Sequence, residues 1–320
     1  MKSMKRSIMV LFLLLLVLIA TACNSSRNKD GERIAERDYR QGTKGLELEF
    51  IRNAPPDKVF SGDDMDIIVE VRNLGGYPTT DSFDGKLEIY GFDEQAFLGE
   101  QWDGGPFLSP TLQGRSQFSP LGGRENKRYH IDKIVTPFGS EVYEPKIVAA
   151  ACYKYRTVAE PLVCIDPEPY SVFDENKVCT IGRNGETYSL GTQGAPVAVT
   201  RITEEISTND IHFTIEIKNV GTGKVVDENT RVDCPLALDY NDVDKILVKA
   251  QLPFDASPRC QPRGDHRDPV RLDKTGRGFI FCSFQKPSSK SAFETVLNIE
   301  LDYRYLDTIE KKIEIVNIDR

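Results

Sequence analysis

Histidine and tryptophan are scarce, with three His and one Trp in 320 residues, and no His lies beside another His or a Cys at ligand spacing. Little material is left for a zinc site or a His-based nucleophile relay. The signatures G-x-S-x-G, H-E-x-x-H, G-x-x-x-x-G-K-[ST] and G-x-G-x-x-G are all missing, which argues against the commonest hydrolases, metalloproteases and nucleotide enzymes. No catalytic residue and no cofactor is expected. Gly221-Thr222-Gly223-Lys224 lacks the spacing of a phosphate loop and reads as a turn. Positive charge is also short: 41 Lys and Arg against 49 Asp and Glu give −8, and a cleaved leader would take three more cations with it. A nucleic-acid partner is not expected. Only one long apolar run exists, so a polytopic membrane protein is excluded. A hydrophobic fraction of 39%, spread evenly, excludes a disordered chain.

That one run is informative. Met1 to Arg6 carries Lys2, Lys5 and Arg6, Ile8 to Ile19 is unbroken apolar sequence, and Ala20-Thr21-Ala22-Cys23 follows at once. Basic start, short apolar stretch and small residues make a secretory signal peptide, residues 1–22. A spanning helix needs roughly 20 apolar residues, and Asn24-Ser25-Ser26-Arg27 stops this one too early. The end of the leader resembles the lipobox of prokaryotic lipoproteins, with Ala20 where that pattern usually has Leu. The resemblance implies that Cys23 is acylated and anchors the chain to a membrane. Ordinary signal-peptide cleavage after Ala22, leaving Cys23 a free thiol, is the alternative. Residues 23–44 are polar, mixed in charge and without periodicity, and read as a tether.

The remainder repeats itself. Val69-Glu70-Val71-Arg72-Asn73-Leu74-Gly75 matches Ile215-Glu216-Ile217-Lys218-Asn219-Val220-Gly221 at an offset of 146, and Tyr153-Lys154-Tyr155 matches Tyr303-Arg304-Tyr305 at 150. Val163 and Ile165 match Ile313 and Ile315 at the same 150. Two homologous domains in tandem follow, residues 45–168 and 193–320, joined by a linker at 169–192. Leu297, Ile299, Leu301, Tyr303 and Tyr305 alternate with polar residues, the period of a strand with one wet face. The expected fold is therefore all-β, two antiparallel β-sandwiches. Alternating residues that end in Asn-x-Gly early in a domain resemble the CARDB-type and related immunoglobulin-like modules of prokaryotic surface proteins. The whole arrangement is similar to archaeal lipoproteins built as a lipobox, a polar tether and two such domains. The resemblance implies an extracytoplasmic surface location and a non-catalytic role.

Seven Cys divide into Cys23 and an even set of six, which suits three disulfides in an oxidising compartment. Each repeat is expected to end in a hairpin. In the first, Cys152 and Cys164 point outward at positions symmetric about Val158, close enough across antiparallel strands to bond. Cys260 and Cys282 flank a second hairpin turning at Lys274-Thr275-Gly276, and Cys179 is left for Cys234. Other pairings of these last four remain open.

Candidate binding residues come from Ile89 to Pro120, which the second repeat does not reproduce. Tyr90, Phe92, Phe97, Trp102, Phe107 and Phe118 are interleaved there with Gly and Pro. The segment reads either as an aromatic binding loop or as a plug for one end of the sandwich. Asp63-Asp64-x-Asp66 and Asp239-x-Asn241-Asp242-x-Asp244 are acidic clusters that fit solvated loops better than Ca²⁺ sites. The leading expectation is a lipid-anchored interaction, scaffold or adhesion module contacting a surface protein or envelope polymer. A lipid-anchored binder of a small solute or polysaccharide is the alternative, and it would use a cleft beside residues 166–193.

Overall fold

The computed structural model describes residues 39–79, 85–109, 112–169, 171, 177–182, 184–230, 238–289 and 291–318. The strands of the first repeat are β1 (Leu46–Phe50), β2 (Lys58–Phe60), β3 (Met65–Asn73), β4 (Lys86–Tyr90), β5 (Phe97–Leu98), β6 (Gln101–Asp103), β7 (Arg124–Ile131), β8 (Lys133–Ile134), β9 (Val142–Tyr143), β10 (Lys146–Ala159) and β11 (Leu162–Ile165). Those that follow are β12 (Glu186–Ser189), β13 (Val197–Ile206), β14 (Asp210–Asn219), β15 (Lys224–Val226), β16 (Lys245–Gln251), β17 (Arg259–Gln261), β18 (Val270–Arg271), β19 (Arg277–Gln285), β20 (Phe293–Val296), β21 (Asn298–Lys312) and β22 (Glu314–Val316). The chain is all-β, as its period-two patterns predict. No helix among the described residues is long and apolar enough to cross a membrane.

Each repeat builds one outer sheet, in the order β1-β3-β7-β6 and β12-β13-β14-β19-β17. A third sheet, β18-β16-β21-β10-β4 with β15 beside β21, takes strands from both repeats. Its two longest members, β10 and β21, pair antiparallel from Lys146↔Lys312 to Ala159↔Ile299. In that register Lys154 faces Arg304, its own repeat equivalent. A local twofold axis therefore passes between those two residues. Directly opposite residues of an antiparallel pair point to one side, so Tyr153, Tyr155, Tyr303 and Tyr305 all enter a single continuous core.

The repeats also exchange their final strands. β11 of the first pairs with β20 of the second, Ile165 opposite Phe293. β22 of the second lies between β9 and β2 of the first, Ile315 opposite Tyr143 and Val59. Neither final hairpin forms, because β10 is flanked on both sides, Cys152 lying opposite Leu306 of β21 and Lys86 of β4. β4 takes the edge of β10 from Val148 to Cys152, where Cys164 would have had to pair. The expected division into two sandwiches and a linker changes accordingly. Tyr39–Arg320 forms one compact unit, and the expected linker contributes β12, which extends the outer sheet by pairing with β13.

The displaced return strand also decides the disulfides. Cys164 on β11 bonds Cys179, with 5.8 Å between Cα atoms, so the expected pairs Cys152–Cys164 and Cys179–Cys234 do not form. Cys260 and Cys282 face each other between β17 and β19 and are bonded, with Cα atoms 4.1 Å apart. Cys152 is disulfide-bonded too. With the other four paired among themselves, Cys23 and Cys234 remain, and both lie outside the described residues, as do the leader and most of the tether.

Candidate functional site

The repeated motifs converge near the local axis, where every buried tyrosine hydroxyl finds partners, as burial demands. Tyr155 Oη donates to Asn73 Oδ1 at 3.0 Å, and Tyr305 Oη donates to Asn219 Oδ1 at 3.0 Å. Asn73 Nδ2 donates to the carbonyls of Tyr77 (2.6 Å) and Leu112 (3.0 Å), while its Oδ1 accepts from Gly75 N–H at 3.1 Å. Gly75 and Gly221 complete the motif because a Cβ there would lie 1.9 Å from Tyr155 Oη and 2.4 Å from Tyr305 Oη. The Asn-x-Gly and Tyr-x-Tyr sequences thus make one structural corner in each repeat. A small opening of about 150 Å³ lies beside the second corner, lined by Gly45, Pro196, Gly221, Tyr305 and Asp307 among others.

Along the axis the repeats differ at one place. Tyr303 Oη is 2.9 Å from Thr157 Oγ1, which donates to the Val197 carbonyl at 2.7 Å. The equivalent Tyr153 Oη instead donates to Asp307 Oδ2 at 2.7 Å and accepts from Leu46 N–H at 2.9 Å. Burial pushes the Asp307 carboxyl up to about 6, against the opposing effect of the tyrosine hydroxyl.

The segment between the repeats shapes the more open site. Cys164–Cys179 closes it, and Lys177 Nζ donates to Asp166 Oδ2 at 2.8 Å with side-chain exposures of only 6% and 1%. Lys177 also reaches the Glu168 carbonyl at 2.6 Å. Tyr188 Oη accepts from Cys164 N–H and donates to Glu204 Oε2, both at 3.0 Å. An open cleft of about 610 Å³ lies beside this staple, between Pro167, Glu168, Pro169 and Ser171 on one side and Ile206, Ser207, Thr208 and Lys286 on the other. That volume suits a small ligand. Its ammonium group is already engaged, Lys286 Nζ donating to the Ser207 carbonyl at 3.1 Å. Among the described lining residues, what remains is a carboxylate, hydroxyls and proline faces, which can hold a polar molecule.

Glu204 escaped the sequence reading, since a Glu in a strand signals nothing by itself. Its side chain is fully buried, and Oε1 has no hydrogen-bond partner. Burial pushes its pKa up to about 8, with the Tyr188 hydroxyl pulling the other way. The folded protein therefore holds a proton that the unfolded chain releases near the ordinary carboxylate value. Folding stability should fall as pH rises through that window and level off above about 8. Asp307 adds to the decline only up to about 6, so from pH 6 to 8 Glu204 dominates. Denaturant unfolding across that range should lose up to about 1.4 kcal/mol per pH unit, and Glu204→Gln should flatten the slope. An unchanged slope in the variant would refute the assignment.

The aromatic segment Ile89 to Pro120 does not gather its rings on one surface. β5 and β6 run through it and pair with β8 and β7, which sends side chains in opposite directions. Phe97 is buried, and Phe92 stacks on it with centroids 4.2 Å apart. Trp102 packs edge-on against Tyr129 at 5.0 Å, and Tyr90 covers a small cluster of Ala150, Cys152, Val226 and Leu306 on another side. Phe107 and Phe118 are exposed. Among the described residues no group of three or more His, Cys, Asp or Glu is placed to hold a metal. Asp66 is occupied by Arg128 at 2.9 Å and His130 at 2.7 Å. Asp239 and Asp242 accept backbone N–H groups of their own turn. His212 Nδ1 lies 2.9 Å from Ser283 Oγ on the outer face of β14 and β19. That ring stacks on Phe281 and has no carboxylate to orient it. No protein-family profile and no curated protein matches the chain.

Proposed function

We propose that this protein is a lipid-anchored, extracytoplasmic and non-catalytic interaction or scaffold module, held to the membrane through Cys23 and contacting a surface protein or envelope polymer. The observation that carries the reading is the pair of disulfides, Cys164–Cys179 and Cys260–Cys282, since such bonds persist in oxidising compartments and are rare in the cytosol. The leader ending in Cys23 agrees with it. A frame in which two repeats share one sheet and one core suits display of loops at fixed spacing. The anchor is tested by detergent-phase partitioning of membranes from cells making the full chain. The protein should enter the detergent phase, and Cys23→Ala should shift it to the aqueous phase. A variant that stayed in the detergent phase would overturn acylation at Cys23.

A second reading rests on the cleft at Pro169 and Ile206, whose volume of about 610 Å³ suits a small polar solute or sugar. Tight binding would raise the melting temperature in a concentration-dependent way.

A further inference from the structure

In the second repeat a tight turn, Asp273 to Gly276, joins β18 to β19, and its Gly276 carbonyl accepts the Asn219 N–H at 2.8 Å. At the matching place the first repeat inserts the loop Gln113 to Arg124. The loop is held rigidly at its base, where Arg115 N–H donates to the Gly75 carbonyl at 2.7 Å and Gly123 N–H to Gln113 at 2.7 Å. Its tip is bonded to itself, Ser116 and Ser119 exchanging N–H to carbonyl bonds and Gly122 N–H closing on Ser119. This ordered tip holds Phe118 and Leu121 in solvent at 95% and 84% exposure. Two large apolar side chains displayed on a self-bonded turn have no packing role, and exposing them costs solubility.

We propose that Phe118 and Leu121 insert into the surface of the bilayer to which the chain is tethered. The proposal rests on the lipid-anchor reading for its geometry. Gly75, whose carbonyl holds the base of the loop, donates its N–H to the carbonyl of Gly45 at 3.1 Å, so the loop stands where the chain enters the fold. From Asn24 to Asp38 the chain has 15 residues, a reach of at most about 50 Å when extended. An anchor at Cys23 therefore keeps this corner within that distance of the membrane. The charge also matches. Arg124 beside the tip is largely exposed, its guanidinium 4.0 Å from Glu70, and no Asp or Glu occurs from Gln113 to Arg124, in a chain that is otherwise acidic. Apolar tip and basic rim are the two components of peripheral binding to anionic lipid. One acyl chain binds only marginally, and a second contact makes anchoring stable.

The test uses the mature chain carrying Cys23→Ala, so that association cannot come from an acyl group. It should float with vesicles of phosphatidylcholine mixed with phosphatidylglycerol, less with phosphatidylcholine alone, and less as salt rises. Phe118→Ser with Leu121→Ser should lower the partition coefficient at least about tenfold, leaving the melting temperature unchanged because neither side chain is packed. In a Trp102→Phe background, Phe118→Trp should shift its emission to the blue on vesicle addition and be quenched by brominated acyl chains. Failure to float, or flotation indifferent to the double substitution, would overturn the proposal. So would self-association of the chain abolished by that substitution without vesicle binding, since a second copy would then be the occupant. The anchor experiment reads Cys23 separately, so either result can fail without the other.

Discussion

Asn73→Ala should lower the free energy of unfolding by about 4 kcal/mol, far beyond what an average substitution costs. The side chain is fully buried and serves four groups at once: the Tyr77 and Leu112 carbonyls, the Gly75 N–H and the Tyr155 hydroxyl. Alanine strands the Tyr77 carbonyl and the Tyr155 O–H, while the Gly75 N–H keeps the Gly45 carbonyl and the Leu112 carbonyl keeps the Thr79 N–H; each stranded buried group costs roughly 1 to 3 kcal/mol. Asn219→Ala should behave similarly but more mildly, since Asn219 joins the Gly223 carbonyl and Tyr305 and its corner is less enclosed. Tyr155→Phe, which removes one hydroxyl and keeps the ring, should cost about 1 to 2 kcal/mol. Urea titrations of the three variants check the order. A loss below about 1 kcal/mol for Asn73→Ala would mean that the corner is not the clamp described above.

Ile315→Ala should destabilise the first repeat, although the residue belongs to the second. Ile315 is fully buried and pairs with Val59 and Tyr143. Truncating a core isoleucine costs about 2 to 5 kcal/mol through lost burial and the cavity left behind. Amide exchange at Val59 and Tyr143 should speed up with that at Ile315. Because β10 and β21 share 14 paired positions and one core, calorimetry should record one unfolding transition for the whole unit. Two separated transitions, or exchange that changes only within residues 193–320, would show that the repeats fold apart.

Much of this architecture was legible in the residues, and the rest was not for identifiable reasons. The alternation of Leu297 to Tyr305 announces a half-buried strand because side-chain direction in a strand is a local property. The internal match at Asn73 and Asn219 announces two copies of one corner. The sequence around Cys152 and Cys164 is equally compatible with a hairpin and with an exchanged strand. Both arrangements bury the same face of β11, and only the occupancy of β10's two edges separates them. Phe92, Phe97, Trp102 and Phe118 looked alike as Gly-flanked aromatics, yet short strands turned Phe97 inward and a self-bonded turn left Phe118 outside. Glu204 was invisible, since its meaning lies in what surrounds it.

By itself, the sequence determined the strand content, the duplication and the supply of cysteines, all of them properties of periodicity, similarity and composition. Tertiary structure alone decided which strands became neighbours. β10 meets β21 across a local axis, β11 and β22 cross to the opposite repeat, Cys164 therefore meets Cys179, and the inserted loop stands beside the point where the chain enters the fold. Backbone hydrogen bonds pair any two strand edges with nearly equal strength. The choice among edges is made by the summed burial of side chains far apart in the chain, and no local pattern carries that sum.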